Sequence, residues 1–71
     1  MTSNELSQIA SYAGATAVKY GYFLNRMPEL PFSLFEDDVM TYALETLGLE
    51  LSFKETMDLS SYLRDKYSYL N

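Results

Sequence analysis

The side chains best equipped for chemistry in this sequence are carboxylates. Glu36, Asp37 and Asp38 run together, and Glu45 and Glu50 follow with no basic residue between them. Adjacent carboxylates can ligate a cation, trade protons where burial splits their pKa values, or offer negative charge to a basic partner. The alternating ligands and loop glycine of a calcium-binding loop are absent. Proton transfer needs a shielded carboxylate, and the surrounding pattern puts these acids on a helix surface. The chain has no His and no Cys, which removes the usual general base, the thiol nucleophile and the common zinc sites. No phosphate-cradling loop or nucleophile elbow occurs. The reading is therefore not an enzyme, with no metal and no cofactor. Glu36, Asp37, Asp38 and Glu45 form an acidic patch, either for a basic surface or as a mimic of nucleic-acid phosphate. The simpler account is electrostatic, since acids in a first turn complement the helix dipole by about 0.3–1 kcal/mol each.

Two further sets of residues point to contact rather than catalysis. Ala10, Gly14, Ala17 and Gly21 recur at steps of four, three and four, which on a helix return to one face. Each interior glycine costs about 1 kcal/mol relative to alanine, so a stripe of this kind implies that another backbone comes close. That backbone belongs either to a neighbouring helix of the same chain or to a second copy, as in small-residue helix pairs. Tyr12, Val18, Tyr22 and Phe23 lie around the same helix, more apolar surface than one bundle face hides, which favours a homodimer. The chain also holds seven tyrosines, a residue that gives large contact area with a hydroxyl tolerant of partial exposure. Tyr12, Tyr20, Tyr22 and Tyr69 are expected at an interface, and Tyr42, Tyr62 and Tyr67 at the core edge.

These residues are positioned by three helices. Ser or Thr followed three residues later by Glu occurs as Thr2 with Glu5, Ser33 with Glu36 and Ser52 with Glu55. Each pair precedes an apolar-periodic stretch, as a capping box does. Met1 and Leu6 complete a hydrophobic staple at the first of them. The expected helices span about 3–26, 34–47 and 53–67. Pro28 and Pro31 bracket the first connector. Gly48 is expected as a left-handed helix terminator, with Leu49 packing back on Leu44. The expected apolar faces are Leu6, Ile9, Ala13, Tyr20, Leu24 and Met27; then Phe35, Val39, Met40, Ala43, Leu44 and Leu47; then Phe53, Met57, Leu59, Leu63, Tyr67 and Leu70. Leu47, Leu49, Leu51 and Phe53 alternate as a strand would, but a lone strand has nothing to pair with, so the segment is read as a loop. The first helix would be about 36 Å long, against roughly 22 to 25 Å for the others, and its end would protrude.

The chain of 71 residues is read as a single domain, residues 1–71, with a net charge of −5. A domain of this size buries only about 60% of its unfolded surface, and without disulfides or metal it must pack unusually well or oligomerise. The acidic balance argues against nucleic acid and anionic lipid, both of which need clustered Lys and Arg. A helix-turn-helix over Thr41–Met57 would present Glu55 and Asp58 beside Lys54, a poor reader of DNA. No segment matches a secretory signal or a membrane span, and a cytoplasmic location is the expectation. The sequence thus predicts an all-α, three-helix, acidic protein that is dimeric through its first helix and acts by binding another protein as an adaptor, inhibitor or assembly component. The alternatives are a nucleic-acid-associated regulator using Lys19, Arg26, Lys54, Arg64 and Lys66, or a structural subunit of its own oligomer.

Overall fold

Residues 1–23 and 32–70 are described by a computed structural model. Helix α1 spans Ser3–Phe23, α2 spans Phe32–Thr41 and continues as a π turn over Tyr42–Thr46, and α3 spans Phe53–Tyr67 with a closing 3₁₀ turn at Ser68–Leu70. The fold is all-α, with no strand among the described residues. The expected end of the first helix at residue 26, the connector with Pro28 and Pro31, and the apolar positions Leu24 and Met27 lie outside the described residues.

Two of the three capping boxes form. The Glu5 N–H donates to Thr2 Oγ1 at 3.2 Å and the Thr2 N–H to Glu5 Oε1 at 2.7 Å. At α3 the Glu55 N–H donates to Ser52 Oγ and the Ser52 N–H to Glu55 Oε1, both at 3.1 Å. The third does not form, and the second helix begins at Phe32 rather than 34. Phe32 is buried beneath the Arg64 guanidinium, 5.3 Å from its ring centre, and anchoring that ring draws the helix start past Ser33. The Glu36 carboxylate is engaged elsewhere, accepting from Ser60 Oγ at 2.8 Å with Arg64 Nε at 3.9 Å. It therefore has no part in capping its own helix.

The end of the second helix is also wound differently from the expectation. The Leu47 N–H donates to the Tyr42 carbonyl five residues back, which is π winding. Gly48 has φ of +65°, as the terminator reading requires. The Leu49 N–H then reaches the Ala43 carbonyl at 3.1 Å, one residue beyond the Leu44 expected for a Schellman motif. The wide turn keeps Ala43 in the core and leaves Leu44 half exposed. Leu6, Phe53 and Met57, also expected on apolar faces, are exposed as well.

The core consists of Ile9, Ala13 and Ala17 from α1, Phe32, Phe35 and Val39 from α2, Ala43 from the π turn, Leu59, Leu63 and Tyr67 from α3, and Leu70. Phe35 is its centre. Its ring meets Tyr20 edge-on at 6.2 Å, Phe32 at 5.6 Å and Tyr67 at 5.1 Å. The helices run up, down and up, so α1 and α3 are parallel. Helix α1 packs chiefly against α2, and the α3 arm reaches it mainly through the closing turn Ser68–Leu70. In urea unfolding, Ser52→Ala is expected to cost about 1 kcal/mol through the lost cap, whereas Ser33→Ala should stay within about 0.5 kcal/mol as an ordinary surface change.

Candidate functional site

The small-residue stripe does not occupy one environment. Ala17 is buried in the core, Ala10 is half-buried at the edge of α3, and Gly14 lies beside Tyr67. A methyl group added at Gly14 would meet only Tyr67 Oη, at 3.8 Å, an ordinary contact. At Gly21 it would meet nothing within 4 Å among the described residues. The packing of the described residues therefore requires neither glycine, although each weakens α1. Next to them on the outer side, Val18 is 61% and Tyr22 is 76% exposed. Between Glu5 and Lys19 the helix carries no charged residue.

Beside the N-terminal half of α1 lies an open groove of about 420 Å³, bounded on its other side by α3. Its floor is Ile9 and Leu59, its walls include Leu6, Ala10 and Tyr62, and Ser3, Ser7 and Asp58 supply its few polar groups. Ser7 and Ala10 are among the small side chains that α1 places along it. At its end, the Met1 amine donates to Glu55 Oε2 at 2.5 Å. That hydrogen bond, together with those from the Ser52 cap, holds the Glu55 carboxyl down at about 2.

The tyrosines and acids read as contact residues are largely engaged with one another. Tyr12 Oη donates to Asp38 Oδ1 at 2.6 Å, Tyr20 Oη donates to Oδ2 at 3.2 Å, and Lys19 Nζ lies 3.8 Å from the same oxygen. Tyr12 also stacks flat on Tyr42, with ring centres 4.0 Å apart and planes within 3°. Asp38 thus fastens α2 to α1, while Glu36 fastens α2 to α3. Of the acidic patch, Asp37 and Glu45 remain exposed. Tyr69 is exposed, Tyr67 is buried, and Tyr62 stands at the groove rim with Lys66 Nζ 5.8 Å from its ring centre. Sequence reasoning missed the groove and the Asp38 clamp. The clamp had a signal, since Tyr12 and Tyr20 lie two turns apart and reach one carboxylate. The groove had none, because it depends on the separation of α1 from α3.

Comparison of the chain with protein-family models, with curated proteins and with solved structures finds no match.

The hydrogen bond to Asp38 and burial raise the Tyr12 phenol above its usual 10.0, and burial with the Asp38 charge raises Tyr20. A raised phenol keeps its proton longer in the folded state, so this stability is complete below pH 10 and is lost as pH rises through the folded values. Phenolate absorbance of the native protein should accordingly include a late-titrating component that shrinks in Tyr12→Phe. Gly14→Ala is expected to raise the unfolding free energy of the isolated chain by up to about 1 kcal/mol, read from thermal or urea melts; a loss of stability would mean that the fold itself needs the glycine.

Proposed function

We propose that this protein is a small acidic interaction factor, an adaptor, inhibitor or assembly component, that works by seating another protein against α1. The observation that carries this reading is the pair of α1 glycines that the described packing does not require, Gly21 with open space beside it and Gly14 in no more than ordinary reach of Tyr67. A helix that sacrifices stability at Gly14 and Gly21, where its own chain comes no closer than 3.8 Å among the described residues, is suited to a backbone from outside. Tyr22 and Val18 flank that position with exposed contact area, and Lys19, the one charged side chain between Gly14 and Gly21, already lies against Asp38. The same helix supports self-association as a homodimer, and a cytoplasmic setting is part of the proposal; no helix among the described residues is long and apolar enough to cross a membrane.

The nucleic-acid alternative gains nothing from the geometry. Lys19 pairs with Asp38, Lys54 with Asp58 at 3.3 Å and Arg64 with Glu36, while Lys66 lies over Tyr62. Arg26 lies outside the described residues, and the other four, dispersed and held by groups of the chain itself, do not make the basic face that phosphate contacts require.

The test is affinity capture from the source cells with wild-type and Gly21→Leu baits, after circular dichroism has confirmed that both are folded. A partner retained by the wild type in stoichiometric amount and lost with Gly21→Leu is expected. Equal recovery with both baits, no stoichiometric partner at all, or tight and salt-sensitive DNA binding in a mobility-shift assay would overturn the reading.

A further inference from the structure

The groove between α1 and α3 is apolar at its floor, where Ile9 and Leu59 are 1% and 3% exposed. Its rim carries larger apolar groups that the chain leaves in water, Leu6 at 45% and Tyr62 at 37% exposure. Nothing of this chain among the described residues fills the space between them. Charge decides what kind of molecule suits it. Helix α1 carries one acid and one base, Glu5 and Lys19, and α3 balances Glu55, Asp58 and Asp65 against Lys54, Arg64 and Lys66. Asp58, the charged side chain on the groove wall, is met by Lys54 at 3.3 Å. The Met1 amine, which also lines the groove, is met by Glu55 at its end. The face around the groove is therefore neutral. The excess negative charge of the described helices sits on α2 and its π turn, which hold Glu36, Asp37, Asp38 and Glu45 with no base of their own, Lys19 and Arg64 from the other helices offsetting only two of the four. A cationic partner would be drawn to α2 and not to the groove.

A second copy of the chain has the opposite preference. Like charge keeps the two α2 helices apart, and screening leaves that repulsion effective over roughly 8 Å at physiological salt. Meeting on the neutral α1–α3 face holds each α2 on the outer side of the pair. A two-fold contact brings one surface against itself, so a cavity bordered by protruding Leu and Tyr supplies both the hollow and the side chains to enter it. The burial gained is of the kind that a chain without disulfides or metal lacks. We infer that the α1–α3 groove is the seat of a second copy of this chain, each copy placing Leu6 and Tyr62 over the groove of the other. The inference rests on the reading of α1 as the contact helix and adds which part of it meets which partner. The groove takes the copy, and the Gly14–Gly21 end is left for the other protein.

Light scattering after size exclusion across a dilution series tests this on the full chain. The wild type is expected at twice the 8.2 kDa chain mass, Leu6→Lys and Tyr62→Lys at the single mass, and Val18→Lys still at twice it. Two rim variants from different helices, each checked for native helix content, separate loss of pairing from loss of fold. A wild type at the single mass at every concentration overturns the inference. So does a dimer that Val18→Lys dissociates and Leu6→Lys does not, or native mass spectrometry showing a small molecule retained by the wild type and released by Tyr62→Lys. Failure here is distinct from failure of the proposed function: a monomer that still loses its partner with Gly21→Leu keeps the function and refutes the groove, and a dimer that captures no partner does the reverse.

Discussion

Everything in this small bundle is arranged around one aromatic side chain. Phe35 is 1% exposed and touches rings from all three helices, Tyr20 on α1, Phe32 on its own helix and Tyr67 on α3. It can sit there because α1 turns Ala13 and Ala17 inward, so that α2 lies close without a clash. The placement of that ring sets the roles of its neighbours in sequence. Glu36, one residue on, is delivered to α3, and Asp38, three residues on, is delivered to α1. A run of acids that looks like a single patch is thereby split across two helix–helix contacts.

These polar contacts are valuable less for their individual energy than for the order they impose. Half-exposed ion pairs such as Arg64 with Glu36 contribute little each, whereas a carboxylate accepting two phenols is shielded and specific. Among the described residues no buried side-chain nitrogen or oxygen lacks a hydrogen-bond partner. The tyrosines make this possible: their rings add to the core and their hydroxyls carry the polar contacts at its edge.

The same economy of bulk on α1 has opposite effects on its two sides. Inward, Ala13 and Ala17 permit close packing against α2. Toward α3, Ser7 and Ala10 are among the small side chains along the apolar groove. Outward, Gly21 leaves space that the described chain does not use, while Gly14 lies beside Tyr67. A helix long relative to its partners and short of charge is thus only partly covered by its own domain. That is the physical basis of the proposal that α1 is the surface through which the protein meets others.

Local chemistry was legible in the sequence. The all-α class, the starts of α1 and α3 at Thr2 and Ser52, and the left-handed Gly48 follow from capping and backbone sterics, interactions confined to a few consecutive residues. Periodicity likewise identified Ile9, Phe35, Val39, Leu59 and Leu63 as core. What periodicity overstated were the ends of each apolar face: Leu6, Leu44, Phe53 and Met57 satisfy the spacing yet extend beyond what the neighbouring helices cover. Ser33 carries a capping signature but is not used as a cap, because burial of Phe32 and the pull of Ser60 and Arg64 on Glu36 outweigh one local hydrogen bond. The sequence by itself determined which segments are helices, since helix formation is local. Only the tertiary structure decided that α1 packs against α2 and stands off from α3, because interhelical distance depends on side chains from separate helices filling, or failing to fill, the same space.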